Sequence, residues 1–456
     1  MRKGDMVSGV IERVDYPNKG IVPVSGERVV VKNGIPGQEV AVLIEKKRSS
    51  GISGRIQAVL SPSPLESRPP LCSLFPSCGG CLYQTMAYEE QLKMKERQIR
   101  DLLSPFLDDP SGFEGIIASP TETAYRNKME YSFGDDKKDG PLTLGLHRQS
   151  STYDVLTATD CALVHPDMNR IVSCVLDYFT KRGVPYYHKM SHIGYLRHLL
   201  LRRGVTSGEI LVNLVTTSQE EHDLSPLKEE LLSLPLEGRI VGIWHLINDG
   251  LSDVVRCDEK RCLFGTDHFY ETLLGLKFRV STFSFFQPNT LAAERLYAKV
   301  REYIGEVSGR TVFDLYSGTG TIAQLSAKAA SQVVGVEIVP EAVESARQNA
   351  AENGITNCRF IAGDVLAVLD TIPEKPDLLI LDPPRDGIHP KALPKLLSYD
   401  VPSIVYISCK ATSLVRDLPF FLAHGYRLKK VCPVDQFCQG PHVETVCLLT
   451  KNTNKK

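Results

Sequence analysis

The chain has 456 residues, 42% of them apolar, and a formal net charge of −1. That length predicts roughly two to four domains with a substantial core, and the near-neutral charge excludes a globally basic nucleic-acid binder, leaving local patches as the only electrostatic route to such a partner. No apolar run approaches the ~20 residues that span a bilayer, and Met1-Arg2-Lys3-Gly4-Asp5 has no apolar stretch behind its charges, so the chain is expected to be cytoplasmic, without a membrane partner.

Residues 5–60 alternate β-rich runs (Val7 to Val14, Gly20 to Pro23, Arg28 to Lys32, Glu39 to Ile44, Gly54 to Leu60) with turn segments such as Pro17-Asn18-Lys19-Gly20. Five short strands of this kind predict a small OB-like barrel. The first 60 residues carry ten Lys/Arg against six Asp/Glu, which suits an RNA contact and equally an ordinary solvated surface. A proline-rich linker, Ser61-Pro62-Ser63-Pro64 through Pro69-Pro70, then leads into Cys72-x5-Cys78-x2-Cys81. Twelve cysteines in a cytoplasmic chain point away from disulfides. Three thiols this close, with Gly79-Gly80 freeing the turn, predict zinc or an iron–sulfur cluster. Cys161 is the fourth candidate ligand, with Cys174 as its alternative. The spacing is not the Cys-x3-Cys-x2-Cys of radical enzymes.

Tyr88 to Leu103 predicts a helix with charged faces. Residues 125–276 alternate strand-like and helical segments without a signature. Two basic stretches there, Tyr125-Arg126-Asn127-Lys128 and Arg197-His198 through Arg202-Arg203, are candidate RNA contacts, since phosphates fix register and unstacked bases meet aromatic groups. From Gly309 onward strands alternate with helices (Thr311 to Tyr316, Gln332 to Val336, Arg359 to Ala362, Leu378 to Leu381, Ser403 to Ile407), predicting an open, mostly parallel α/β sheet.

The first of these strands runs into Asp314-Leu315-Tyr316-Ser317-Gly318-Thr319-Gly320-Thr321, a loop whose glycines let backbone approach a nucleoside cofactor. Ala323 in the third glycine position leaves a nicotinamide cofactor open. Successive strands end on Asp314, Glu337, Asp364 and Asp382; one acidic strand end can be a helix cap, but four in register are not explained by capping. The series resembles the class I S-adenosylmethionine-dependent methyltransferases. That resemblance implies S-adenosyl-L-methionine as cofactor, with Glu337 on the ribose, Asp364 beside the adenine and Asp382 at the substrate end.

Asp382-Pro383-Pro384-Arg385 has arginine where amino-group methyltransferases carry an aromatic residue, which speaks against that chemistry. Together with Ser408-Cys409, His442-Val443-Glu444 and Phe285-Phe286-Gln287-Pro288-Asn289, it closely resembles the RNA uracil-C5 methyltransferase family over nearly the whole chain. Uracil C5 is a poor nucleophile. A thiolate adding to C6 makes C5 reactive, and a base must then remove the C5 proton. The resemblance gives Cys409 and Glu444 these catalytic roles and Gln287, Tyr316, Thr321, Glu337, Asp364 and Asp382 the cofactor site. Cys409 alone would read as a buried strand-end thiol, as Cys447 and Cys174 do. The chain departs from many members at Lys410-Ala411 and at Ser317.

The resemblance further implies a multidomain fold. It comprises a TRAM-type barrel (1–60), a central α+β iron–sulfur domain (61–88 and 119–270), and a C-terminal α/β, Rossmann-like class I domain (89–118 and 271–456). It implies a [4Fe-4S] cluster on Cys72, Cys78, Cys81 and Cys161. The expected partner is RNA, with 23S ribosomal RNA ahead of transfer RNA, reached by flipping the target base out, and no obligate protein partner. A catalytically silent RNA-binding assembly factor is the rival from another class.

Overall fold

The computed structural model describes residues 1–49, 51–255 and 257–451. The N-terminal unit is a curled sheet of six strands, Met6–Val10, Arg13–Asp15, Lys19–Val24, Glu27–Val31, Glu39–Arg48 and Gly51–Ser61, in the order first-fifth-sixth-fourth-third-second. Six strands replace the expected five because the run from Val7 to Val14 breaks at Ile11-Glu12. There the Ile11 N–H bonds to Gln38 O and the Glu12 N–H to Ile21 O, so the chain changes partners. Alternating Val and Ile side chains (Val22, Val29, Val40, Val42) fill its interior, closed by Tyr83, Met86 and Met94 from downstream.

The middle of the chain forms a seven-stranded sheet backed by the helix Pro166–Arg182. That helix starts with Pro166 in its first turn and stops at Gly183, which adopts a left-handed φ of 63°, the usual way to end a helix. Two of the expected RNA contacts are overturned here. Arg202 is fully buried and donates to the carbonyls of Ser281, Thr282 and Ser284. Arg197, also buried, donates to those of Asn248, Gly250 and Ser252. Both guanidiniums tie loops to the sheet, where buried carbonyls need donors, and neither is free for phosphate.

The C-terminal sheet has strands Thr311–Leu315, Gln332–Glu337, Cys358–Ala362, Leu378–Leu381, Ser403–Ser408, Tyr426–Val434 and Glu444–Lys451. Their order is third-second-first-fourth-fifth-seventh-sixth, with only the seventh antiparallel to its neighbours. The reversal between first and fourth strands is the crevice where open α/β sheets bind ligands. The sheet edge Tyr426–Val434 is covered by residues 107–117, which bridge it in parallel at Leu107–Leu428, Phe113–Val431 and Ile117–Val434. Just before this segment, the helix Tyr88–Leu103 buries Ile99 and Leu103 in the same apolar cluster as Tyr426, Leu428 and Val431. No helix among the described residues is long and apolar enough to cross a membrane.

Candidate active site

At the crevice lies a cavity of about 1290 Å³ lined by Gln287, Tyr316, Thr321, Glu337, Asp364, Asp382, Cys409 and Glu444 among others. All eight residues expected at the catalytic and cofactor sites therefore meet in one space. Strand register explains the central pair. Ser408 pairs with Thr445 across the antiparallel fifth and seventh strands, so Cys409, one residue on, stands opposite Glu444, one residue before. Asp382 follows the neighbouring strand, whose Leu381 pairs with Tyr406.

The loop after the first strand is shaped for close approach. Tyr316 holds a left-handed φ of 67°, and Gly318 and Gly320 take 53° and 74°. Such a non-glycine conformation is costly and clusters at ligand sites. A Cβ on Gly320 would lie 2.6 Å from the Phe360 ring, so only glycine fits. Glu337 accepts the N–H of Gly318 at 3.0 Å and of Val339 at 2.9 Å, tying the loop to the end of the second strand. Ile338 and Val339 stand 61% and 46% exposed on the cavity wall, an apolar surface suited to a flat base. Asp364 accepts the Leu366 N–H and caps the short helix Val365–Val368, so capping and cavity lining coincide there. Asp314 does not line the cavity. It is fully buried below the loop, and burial together with the charge of Asp382 holds its carboxyl far above the ordinary range.

Electrostatics set the resting state. Burial pushes the Glu444 carboxyl up to about 8, with the charge of Asp382 adding and Arg385 opposing. Burial likewise raises Asp382 to about 7. The Cys409 thiol rises to about 11 through burial, then the charges of Glu444 and Asp382, against Arg385. A positive charge entering this cavity favours ionisation of all three.

Several contributors were not foreseen as site residues. Arg385 is the cation that opposes the raised pKa of both Cys409 and Glu444, and its Nη2 lies 3.0 Å from His442 Nε2. Phe283 and Phe285 line the cavity while 48% and 62% exposed, and Tyr297 is buried on its wall. The exposed aromatics sit just before Gln287, and that proximity was the available signal.

A second cavity of about 810 Å³ is lined by Cys72, Cys78, Cys81 and Cys161, with Arg126, Lys128, Phe437 and His442. Cys174 does not reach it; it sits at the edge of the central core. Gln84 Nε2 donates to Cys72 Sγ at 3.3 Å and the Gly80 N–H to Cys78 Sγ at 3.4 Å, while burial pushes the Cys78 and Cys161 thiols up and that of Cys81 to about 12. The four thiols converge, but they do not form a ligating set as they stand: among the described residues, no group of three or more His, Cys, Asp or Glu could hold a metal ion. The two cavities share Phe437. It lies in the loop between the sixth and seventh strands, which Lys95, Tyr88 and Gln91 of the helix Tyr88–Leu103 fasten through Asp435 and Gln439.

A seven-stranded sheet with this order, a glycine loop and an acidic second-strand end define a class I S-adenosylmethionine-dependent methyltransferase, and the methyltransferase-domain family matches residues 306–430. The tRNA (uracil-5-)-methyltransferase family matches residues 87–365. Uncharacterized RNA methyltransferases of Clostridium tetani and Clostridium acetobutylicum are 46% and 45% identical, over 98% of both chains in the first case and 99% of both in the second. The chain belongs to the RNA uracil-5-methyltransferase family. Its whole fold resembles that of the Pyrococcus abyssi tRNA (uracil-54, C5)-methyltransferase solved with S-adenosyl-L-homocysteine, with a TM-score of 0.76 at 24% identity, covering 97% of this chain and 100% of that one.

Proposed function

We propose that this RNA methyltransferase methylates C5 of a uridine in 23S ribosomal RNA through a covalent Cys409 adduct. The observation that carries the chemistry of this reading is the meeting of Cys409, which follows the strand end Ser408, with Glu444, which opens the strand paired to it, inside the cavity that holds the cofactor loop. The Cys409 thiolate forms a bond to C6, and the C5–C6 electrons move toward the C4 oxygen. C5 then takes the methyl group that S-adenosyl-L-methionine supplies. Glu444 accepts the C5 proton, the C5–C6 double bond re-forms, and the thiolate leaves. Gln287, Tyr316, Thr321, Glu337 and Asp364 hold the cofactor, and Asp382 and Gln287 border the uracil. Arg385 offsets the negative charge that gathers as Cys409 and Glu444 ionise.

The three-part division is part of this reading: a TRAM-type RNA-binding barrel at 1–60, an iron–sulfur domain at 61–88 and 119–270, and the catalytic domain at 89–118 and 271–456. The core shared by Ile99, Leu103 and Phe113 with the C-terminal sheet supports the last of these. Cys72, Cys78, Cys81 and Cys161 line one cavity and would be the ligands of a [4Fe-4S] cluster by the family resemblance, although as they stand they form no ligating set. Arg126 and Lys128, on the same cavity, remain basic candidates for RNA.

Transfer RNA is the second reading. The Pyrococcus abyssi relative in fold is a tRNA (uracil-54, C5)-methyltransferase matched over its whole length, so the overall architecture does not separate the two RNAs. Purified protein with tritiated-methyl S-adenosylmethionine and unmodified 23S or transfer RNA tests both readings. Label entering 23S RNA as 5-methyluridine, with Glu444→Gln slowed about 10²–10⁴-fold and trapped as a denaturant-stable adduct, is the expected result. Label confined to transfer RNA moves the substrate to the second reading, and methylation that survives Cys409→Ala refutes the adduct.

A further inference from the structure

Two side chains of the central part of the chain reach into the loops that wall the substrate cavity. Tyr125 and Asn127 lie just before the strand Lys128–Gly134, and both are buried, 4% and 3% exposed. Two residues apart in extended chain, they project to the same face. The Tyr125 hydroxyl donates to Cys438 O at 3.0 Å. Asn127 Nδ2 donates to Gln287 O at 2.8 Å and to Thr290 Oγ1 at 2.9 Å. A carbonyl can only accept, so this pairing also fixes which end of the Asn127 amide faces Gln287. The backbone reinforces it: the Asn127 N–H bonds to Pro288 O, and Arg126 bridges Asn289.

The two loops have no strand or helix of their own to hold them. Residues 282–289 carry Phe283, Phe285 and Gln287, and residues 435–443 carry Phe437 and lead into Glu444; all of these named residues line the cavity. Gln439, in the second loop, is fully buried and holds a left-handed φ of 65°. Such a conformation persists only where the surroundings over-determine it. The loops meet each other at one point, where Asn289 Nδ2 lies 3.4 Å from Gln436 O. The segment that clamps both is itself fixed. The N–H groups of Ala124 and Arg126 bond to Ala162 O and Leu163 O, and the Arg203 N–H bonds to Asn127 O.

We infer that Tyr125 and Asn127 are positioning residues of the catalytic centre. Together they form a brace that sets the loop bearing Gln287 against the loop that leads into Glu444. One short segment thus holds a residue that borders the uracil and the approach to the base that deprotonates it. Reaction geometry tolerates little error here, since a displacement of about 1 Å can cost on the order of 10²-fold in rate. Within the stretch Tyr125-Arg126-Asn127-Lys128 the first and third residues therefore serve the cavity from inside, which leaves only the second and fourth as RNA candidates.

This inference rests on the roles proposed for Gln287 and Glu444, and its test separates the two. Full-length wild type, Tyr125→Phe, Asn127→Leu and the double variant are compared by amide hydrogen exchange without RNA or cofactor, and by kcat and KM for RNA. Tyr125→Phe keeps the ring and removes only the hydroxyl; Asn127→Leu keeps the approximate volume and removes the donor. Exchange should quicken in 435–443 for the first and in 282–289 for the second, with the strand Leu378–Leu381 as in wild type. Each kcat should fall about tenfold, the scale of one lost hydrogen bond. KM for RNA should change little, because phosphate contacts supply most of the affinity. The double variant should lose less than the product of the single losses, since either change already frees one loop from the other. Wild-type exchange in either loop overturns the inference. So do losses that multiply, and so does a retained kcat with a raised KM for RNA, which would make the segment an RNA contact alone. Should Asn127→Leu exchange throughout, the control strand included, Tyr125→Phe decides alone, by its exchange in 435–443 and its kcat. Failure of the wild type to methylate either RNA would overturn the proposed function while leaving the exchange comparison intact.

Discussion

Replacing Lys95 with methionine should damage the protein far more than the loss of one surface lysine. Lys95 Nζ lies 2.8 Å from Asp435 Oδ1 with both side chains 0% exposed, and it also donates to Phe437 O at 3.0 Å. Asp435 keeps only neutral donors once the ammonium is gone, the Tyr88 hydroxyl at 3.0 Å and the Phe437 N–H at 3.1 Å. A carboxylate stranded in this way costs about 3–5 kcal/mol. In a unit of this size each kcal/mol moves the melting temperature by roughly 2–4 °C, so a fall of about 10 °C is expected for Lys95→Met. Adding Asp435→Asn removes the stranded charge and should restore most of the loss, because the pair's own net contribution is small once desolvation is counted. Thermal unfolding followed by circular dichroism of the wild type, both single variants and the double variant closes the cycle. A Lys95→Met protein melting within about 2 °C of wild type, or a double variant no more stable than the worse single, would refute the account.

Glu444 makes stability depend on pH. Its folded pKa is raised to about 8 from 4.5, so its contribution is undiminished below the unfolded value and is lost as pH climbs through about 8. Glu444→Gln should therefore gain in melting temperature relative to wild type between pH 5 and pH 9, and a constant difference would contradict the raised pKa. Arg202→Met leaves the carbonyls of Ser281, Thr282 and Ser284 unpaired and should destabilise by roughly 3 kcal/mol or more. The slope of RNA affinity against salt concentration should not change, and a reduced slope would restore Arg202 as a phosphate contact. Under the cluster assignment, Cys81→Ser should abolish the broad visible absorption of anaerobically purified protein, whereas a colourless wild type containing zinc would reject iron–sulfur.

The parts of this molecule that local chemistry writes were readable in the sequence. The helix at Tyr88–Leu103 and five parallel strands followed from local composition, and the glycine loop and acidic strand ends marked the crevice. Cys409 and Glu444 could be named from their motifs, but their mutual placement could not. It depends on the seventh strand inserting antiparallel beside the fifth, a long-range pairing that no window of sequence encodes. Arg197 and Arg202 misled for the opposite reason. Their charge is visible in sequence, whereas the carbonyls that claim them lie 51 to 82 residues away.

The cover over the Tyr426–Val434 edge also constrains how the chain is made. Asp108 and Arg427, paired across that seam, are separated by 319 positions. During synthesis the apolar face of residues 99–117 emerges long before the strand it must lie against. It therefore stays open, or shielded by a chaperone, until the last part of the chain leaves the ribosome, because long-range pairing cannot precede its partner. A chain truncated before residue 426 would leave this face bare. The strands Tyr426–Val434 and Glu444–Lys451 thus close the sheet edge and bring Glu444 to the cavity in the same late step.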